Sequence, residues 1–386
     1  MLLLFIIYIA FISLGLPDAI LGSSWPVMKN DLNASLEFAG IISFIISAGT
    51  VISSLYVTKM IHYLGIGKVV ALSVLLTAVA LLGFSMANIA LALVFLAIPL
   101  GIGAGAVDAA LNNFVALHYK SKHMNYLHSF WGVGATAGPL LMVNFLAVNQ
   151  GWRDGYMIIA LVQFLLVAVL FLSLPLWKTF LLKPSKSQEM NTPLVSNISA
   201  LNISGVPLQL TVFFCYCSIE MSTGLWAASY LTTEKSLLPS DAAFWVAMYY
   251  SGITIGRFTC GVIAEKIAEE TLIRSGVIMI LLGCLLLALP LSGELAKIGL
   301  ILIGLGCAPI FPNTIHLTPN RFGPTASQTI IGLSMASAYV GLMLFPPLLG
   351  LIAKPFTFAS LPVTLIFMSV ILLLATERLR RFLHNE

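Results

Sequence analysis

Long apolar stretches separated by short polar ones cover almost the whole chain. A helix that crosses a membrane needs about 20 predominantly apolar residues, because each residue adds about 1.5 Å and the hydrocarbon layer is about 30 Å thick. Twelve stretches have this character, at residues 2–25, 36–57, 68–87, 89–118, 125–148, 155–177, 208–231, 242–264, 272–291, 296–318, 325–353 and 356–376. The pattern predicts an all-α membrane protein with twelve transmembrane helices.

One longer polar segment, residues 178–207, interrupts the apolar pattern after the sixth predicted span. It divides the chain into six spans before it and six after it. We therefore expect an N-terminal six-helix bundle at 1–177, a cytoplasmic linker at 178–207, and a C-terminal six-helix bundle at 208–386 that ends in a short cytoplasmic tail.

A weak internal repeat supports this division. Asp18-x-x-x-Gly22 in span 1 recurs as Glu220-x-x-x-Gly224 in span 7, 202 residues later. Gly101-x-Gly103 in span 4 recurs as Gly304-x-Gly306 in span 10, 203 residues later. Repeated halves with a site near the middle of the membrane are typical of secondary transporters.

The composition narrows the class of protein further. The chain of 386 residues is 59% hydrophobic and only 9% charged, with a mean hydropathy of +1.00, whereas soluble domains carry about 25% charged residues. The net charge is +4, but the basic residues are scattered over the ends of the spans and do not cluster on one face. This distribution does not favour nucleic-acid binding. The five cysteines lie in apolar spans without metal-binding spacing, so we expect packing residues and neither a metal nor a cofactor.

The positions of Lys and Arg predict the orientation. If the N-terminus is inside, 13 of the 19 Lys and Arg residues fall in cytoplasmic segments, 5 in outer loops, and Arg257 within a span. Cytoplasmic segments of membrane proteins carry the excess of Lys and Arg. We therefore expect both termini in the cytoplasm and a multi-pass protein of the plasma (inner) membrane.

Four charged residues lie deep inside predicted spans: Asp18, Asp108, Glu220 and Arg257. A charged side chain at the bilayer centre costs about 2.5–3.5 kcal/mol even on lenient insertion scales, so each one is a candidate for function. Asp108 and Asn112 are four residues apart and share a helix face, which must meet protein or water. The structural alternatives are interhelical hydrogen bonding for these two, a solvated acid at a proline kink for Asp18, and an ion pair for Glu220.

Arg257 is interpreted as a structural or gating charge, because a guanidinium stays protonated. Whether Glu220 is its partner is left open by the sequence. Trp131, Trp226 and Tyr250 are candidates for stacking on a ligand, with aromatic packing as the alternative. Asn313 lies beside Pro309 and Pro312, where span 10 is expected to distort.

The sequence contains no P-loop and no hydrolase motif, so we expect neither an ATP-driven pump nor an enzyme.

The chain resembles the major facilitator superfamily and, within it, the fucose/proton symporter family. The resemblance is carried by LPDAILG in span 1, GAGAVDAALNNFVAL in span 4, YCSIEMSTGLWAASYL in span 7, YYSGITIGRFTCG in span 8 and GLGCAPIFPNT in span 10. The loop KMIHYLGIGKVV is similar to the superfamily's loop motif, with Gly65 and Lys68 matching and His62 at the usual acid position. The resemblance implies a structural or gating role for Gly65 and Lys68.

In that family an acid in span 1 and an acid in span 4 are associated with sugar binding and proton coupling. By position these are Asp18 and Asp108, although the family typically has glutamate in span 4. NYLHSFWGVGA is similar to a family stretch in which amides contribute to sugar binding, and His128 and Trp131 occupy those positions here. This departure bears on which solute is bound.

The sequence therefore predicts a transporter that works by alternating access between the two bundles, as a proton-coupled symporter of a small polar solute such as a monosaccharide. Asp108 and Asp18 are the predicted proton-coupling residues. The predicted substrate contacts are Asn112, Asp108, His128, Trp131, Glu220, Trp226, Tyr250 and Asn313. The expected partners are the solute, a proton or alternatively a sodium ion, and the lipid bilayer, with the protein a monomer.

Two other functions stay open at this point. One is a proton-driven efflux antiporter of amphipathic compounds, because GVGATAGP in span 5 is loosely similar to a Gly-Pro element of superfamily antiporters. The other is a membrane receptor that does not transport, although the chain has no sizeable soluble domain to carry a signal.

Overall fold

The computed structural model describes residues 2–119, 121–147, 151–181, 196–263, 266–290 and 293–384. Over these ranges the chain forms α-helices and no strand. The helices are α1 (Leu2–Asp18), α2 (Ile20–Asp31), α3 (Phe38–Leu64), α4 (Ile66–Met86), α5 (Ala90–His118), α6 (Ser121–Ala147), α7 (Trp152–Leu172), α8 (Leu174–Leu181), α9 (Asn197–Leu201), α10 (Val206–Glu234), α11 (Pro239–Ile263), α12 (Glu269–Ala288), α13 (Gly293–Cys307), α14 (Ile310–Phe322), α15 (Pro324–Phe356) and α16 (Ser360–His384). Of the predicted linker, residues 182–195 lie outside the described residues.

Each predicted span coincides with one long helix or with two consecutive helices. Within the described residues, 10 helical stretches are long and apolar enough to cross a membrane, and they match every predicted span except the seventh and eighth. Those two are α10 and α11, helices of 29 and 25 residues that carry Glu220 and Arg257. The prediction of an all-α, multi-pass membrane fold is confirmed.

Prolines interrupt two of the spans. A proline inside a helix has no N–H to donate, and its ring clashes with the carbonyl four residues earlier. The first span therefore breaks after Pro17, where α1 ends at Asp18. The tenth span breaks at Pro309, between α13 and α14, which confirms the distortion expected there and places Asn313 in the first turn of α14.

The contacts between residues divide the chain into two compact units. The first comprises Met1–Gln188 and Leu237–Ala247, and the second comprises Glu189–Ser236 and Met248–Glu386. In the first unit α3 packs on α5, α1 on α6, and α4 on both α5 and α7. In the second unit α10 packs on α15 and α16, and α12 on α13 and α16.

Glycines allow the helices within each unit to approach closely. A Cβ added at Gly101 of α5 would overlap the backbone oxygen of Ile46 on α3. A Cβ added at Gly304 of α13 would overlap the backbone oxygen of Tyr249 on α11. Both residues of the second pair lie 203 positions after those of the first, so the repeat includes the contact partners and not only the glycines.

A second pair of contacts has the same spacing. Gly103 of α5 faces the backbone oxygen of Ser73 on α4, and Gly306 of α13 faces the backbone oxygen of Gly276 on α12. These partners are again 203 residues apart. The two units therefore use equivalent small-residue contacts to pack equivalent helices, as close helix packing in membranes requires.

We expect Gly304→Ala to destabilise the protein, although alanine normally favours a helix over glycine by about 1 kcal/mol. The added methyl group would overlap main-chain oxygen, which moves only if the whole helix shifts, and overpacking of this kind costs about 1–3 kcal/mol. Gly261→Ala is the matched control, because that glycine is also helical and no atom lies within 4 Å of an added Cβ. Thermal unfolding in detergent should show a lower midpoint for Gly304→Ala only; equal midpoints would refute the contact.

Candidate functional site

Asp18 lies at the C-terminal end of α1 and its side chain is exposed. Its Oδ2 accepts a hydrogen bond of 2.8 Å from the indole Nε1 of Trp131 on α6. The two helices come close enough for this because Gly15 faces the backbone oxygen of Trp131, and Gly134 faces that of Ile12. Two glycines therefore bring the indole to the carboxylate.

Asp108 is half-buried in α5, and its Oδ1 accepts a hydrogen bond of 2.9 Å from Nδ2 of Asn112. The four-residue spacing places both side chains on one face of α5, as predicted, and this allows them to bond to each other. The helix α1, which ends at Asp18, contacts α5, which carries Asp108, so the two carboxyl groups lie on neighbouring helices. Oδ1 of Asn112 is buried and has no hydrogen-bond partner within the described residues.

His128 lies one turn before Trp131 on α6, and therefore on the same face of that helix. Its half-buried ring meets Phe11 of α1 edge to face, with 5.9 Å between the ring centroids. The first unit thus gathers two carboxyl groups, an indole, an amide and an imidazole on α1, α5 and α6. These side chains together can hold a proton on a carboxyl group, and they can donate hydrogen bonds to a solute's hydroxyl groups and accept hydrogen bonds from them.

The second unit contains an ion pair that is largely shielded from water. Nη2 of Arg257 on α11 lies 3.6 Å from Oε1 of Glu220 on α10, and the two side chains are 14% and 12% exposed. The same Nη2 donates to the hydroxyl of Tyr216 at 3.4 Å. Glu220 is therefore the partner of Arg257 that the sequence left open.

Two tyrosines of α11 pack beside this pair. The hydroxyl of Tyr249 donates to the backbone oxygen of Glu220 at 3.0 Å. Tyr250 is buried, and its hydroxyl fills the space that Gly224 leaves on α10, one turn beyond Glu220. Tyr250 therefore contacts the helix that carries the acid.

Trp226 and Asn313 have different surroundings. Trp226 is fully buried, donates from Nε1 to the backbone oxygen of Pro346 at 2.8 Å, and packs against the ring of Phe358. These contacts are those of a packing residue, and we leave Trp226 out of the proposed site. Asn313 is buried, and its Nδ2 has no hydrogen-bond partner within the described residues. A buried donor in that condition costs about 1–3 kcal/mol, which favours Asn313 as a ligand contact.

Gly65 and Lys68 lie where α3 meets α4. Gly65 has a φ of 78° and no atom within 4 Å of an added Cβ, so the backbone conformation rather than the available space calls for glycine. Lys68 is exposed in the first turn of α4. The gating role that the resemblance implies for both residues stays a prediction.

An ionic cluster that the sequence analysis did not single out joins the start of α12 to the ends of α14 and α16. His316 Nδ1 lies 2.7 Å from Glu269 Oε1, and Arg274 Nε lies 2.6 Å from Glu377 Oε1. Arg321, whose side chain is 8% exposed, lies 3.6 Å from Glu270. The signal available in the sequence was the pair of acids just before the ninth predicted span, on the same side of the membrane as the basic residues at the inner ends of spans 9 and 10.

The described residues contain no group of three or more His, Cys, Asp or Glu side chains that could hold a metal ion. The cysteines are free thiols, and Cys215, Cys217, Cys284 and Cys307 are buried.

Several bacterial transporters are similar to this chain over two thirds or more of its length. The glucose/mannose transporter GlcP of Bacillus subtilis is 25% identical over 365 residues, which cover 89% of this chain and 86% of that protein. A putative glucose/galactose transporter of Helicobacter pylori is 24% identical, over 67% of this chain and 65% of that protein. The cis,cis-muconate transport protein of Acinetobacter baylyi is 21% identical, over 90% of this chain and 86% of that protein.

Solved structures share the fold. A bacterial homologue of the human lysosomal transporter Spinster, in an inward-facing and occupied conformation, superposes with a TM-score of 0.71 at 12% identity, over 99% of this chain and 96% of that one. The nucleoside transporter NupG superposes with a TM-score of 0.72 at 13% identity, over 97% of this chain and 99% of that one. The sequence model of the Major Facilitator Superfamily matches residues 7–296 and 208–382. The chain therefore belongs to the Major Facilitator Superfamily, and it is a membrane transporter rather than an enzyme.

Proposed function

We propose that this transporter carries a monosaccharide together with protons, by alternating access. The observation that carries the proposal is the pair of neighbouring carboxyl groups in the first unit, each already bound to one N–H donor: Asp18 to Trp131 and Asp108 to Asn112. The proposed substrate contacts are these four residues with His128, Glu220, Tyr250 and Asn313.

A sugar suits this set of groups. Its hydroxyl groups both donate and accept, so they can bind carboxylate and amide oxygens and receive bonds from indole and amide N–H groups. Oδ1 of Asn112 and Nδ2 of Asn313 are buried groups whose hydrogen-bonding capacity is unused within the described residues. The names of the Bacillus and Helicobacter relatives, a glucose/mannose and a putative glucose/galactose transporter, point to the same class of solute.

Proton coupling suits the two acids. A carboxyl group binds its proton more readily when the surrounding water is removed, because the charged form loses its hydration. Asp18 is exposed whereas Asp108 is half-buried, so the two acids differ in hydration within one neighbourhood. A cycle that changes this hydration would load and release a proton, with sodium as the alternative coupling ion.

The arrangement of the chain in the membrane is part of the proposal. The two moving halves are residues 1–177 and 208–386, joined by the cytoplasmic segment 178–207. Both termini lie in the cytoplasm, the membrane is the plasma (inner) membrane, and the protein works as a monomer.

The purified protein in proteoliposomes tests the proposal. With an inward proton gradient we expect labelled glucose, mannose or galactose to accumulate, and a protonophore to abolish the accumulation. A sodium gradient at equal pH tests the other ion. The proposal is wrong if no monosaccharide is transported or competes, and export of an amphipathic dye driven by the same gradient would indicate an antiporter instead.

A second candidate solute has one observation in its favour. Arg257 is a cation whose side chain is only 14% exposed. The Acinetobacter relative is named as a transport protein for cis,cis-muconate, which is a dicarboxylate. A carboxylate could compete with Glu220 for the guanidinium. Uptake of labelled muconate without uptake of sugars, in the same proteoliposomes, would favour an organic acid.

A further inference from the structure

Gln163 is a fully buried amide in the middle of α7, a helix that is otherwise almost entirely apolar there. Its Nε2 donates to the backbone oxygen of Ser13 on α1 at 2.8 Å. Its Oε1 accepts from Oγ1 of Thr77 on α4 at 2.8 Å. One side chain therefore ties three helices of the first unit together.

The backbone oxygen that Gln163 binds is the one that Pro17 leaves without a donor. In a helix the N–H of residue 17 would bind the carbonyl oxygen of residue 13, and proline has no N–H. Nε2 of Gln163 takes the place of the missing donor. A small cavity of about 10 Å³, lined by Ser13, Pro17, Thr77 and Gln163 among others, lies beside this hydrogen bond, close to the interruption between α1 and α2, which we call the bend.

The equivalent positions in the second unit lack this arrangement. At the repeat spacings of 202 and 203 residues, Ile219 stands for Pro17 and Ile280 stands for Thr77. Ile280 meets Gly306 as Thr77 meets Gly103, so the equivalence is structural. The hydrogen bonds that join Thr77, Gln163 and Ser13 are therefore not required by the helix packing that the two units share. They occur in the unit that holds Asp18.

We propose that Gln163 is a positioning residue for Asp18. Asp18 directly follows Pro17, so the bend of α1 decides where its carboxylate points. By binding the oxygen of Ser13, the amide of Gln163 sets that bend and holds Asp18 at the indole of Trp131. Thr77 orients the amide from the other side. The inference rests on the proposed function in so far as Asp18 takes part in transport.

The test uses Gln163→Met, which keeps the volume of the side chain and removes its amide, in the full-length protein. We expect the KM for the transported sugar to rise on the order of tenfold, as for the loss of one buried hydrogen bond, and the pH profile of uptake to shift. Hydrogen exchange should become faster in the amides that follow the bend. Gln163→Asn, whose amide is too short to reach α1, should behave likewise and serves if Gln163→Met does not fold.

Rescue separates positioning from general stability. Pro17→Ala restores an N–H at residue 17, so adding Gln163→Met to Pro17→Ala should change the KM and the hydrogen exchange little further. Gln209→Met is the matched control, because Gln209 is also a fully buried glutamine, bound to Thr318 and Ser334 in the second unit. It should lower stability without moving the pH profile.

Two results would overturn the inference. One is unchanged hydrogen exchange at the bend in Gln163→Met. The other is an equal effect of Gln163→Met with and without Pro17→Ala. The exchange measurement needs no substrate, so it decides the role of Gln163 at the bend even if the wild-type protein fails to transport sugars.

Discussion

Asp108→Asn is expected to abolish accumulation of the solute against its gradient while exchange of solute across the membrane continues. Asparagine has nearly the size of aspartate, and its side-chain oxygen can still accept the hydrogen bond from Asn112. It cannot bind and release a proton. The concentration inside should therefore rise only to the concentration outside, whatever proton gradient is imposed.

The measurement combines two assays on the same proteoliposomes. Gradient-driven uptake should be lost, and counterflow, in which unlabelled solute inside exchanges with labelled solute outside, should persist. Asp241→Asn is the matched control, because Asp241 is an exposed acid in the first turn of α11. Accumulation by Asp108→Asn at the wild-type level would refute a coupling role for Asp108.

The sequence predicted the helices well because length and hydropathy alone decide whether a segment spans a membrane. It also found the buried acids, since charge is rare in such segments. The contact between Asp108 and Asn112 was predictable because both residues lie on one helix with a fixed geometry. The contact between Asp18 and Trp131 was not, because it depends on how closely α1 and α6 approach.

Other contacts could not be predicted from the sequence because they also depend on how separate helices pack. The sequence left the partner of Arg257 open, because Glu220 and Arg257 lie on different helices whose rotation a pattern does not define. Trp226 was a candidate for ligand stacking by residue type, whereas its buried ring and its bond to Pro346 are those of a packing residue. Gln163 was missed, although a lone glutamine in an apolar span, together with the carbonyl that Pro17 leaves free, was a readable signal.

Glu220→Gln is expected to destabilise the protein more than Arg257→Gln does. Both remove one member of an ion pair whose side chains are 12% and 14% exposed. Breaking a buried pair costs about 3–5 kcal/mol, because it leaves a charge without compensation. The two variants differ in what the remaining group can do, since a carboxylic acid can become neutral by binding a proton and a guanidinium cannot.

Arg257→Gln should therefore cost less than Glu220→Gln. The double variant Glu220→Gln/Arg257→Gln should regain much of the stability, because two amides can bond to each other without any net charge. Glu294→Gln is the control, because that acid is 72% exposed and pairs with Lys297 at the surface, so we expect a change of about 1 kcal/mol or less. Thermal unfolding of the four variants measures all of these differences.

Equal costs for the two single variants would mean that the pair is hydrated and does not behave as a buried one. A double variant that is stable and still transports sugar would show that the pair serves the fold alone, whereas one that is stable and inactive would place Glu220 or Arg257 in the transport cycle.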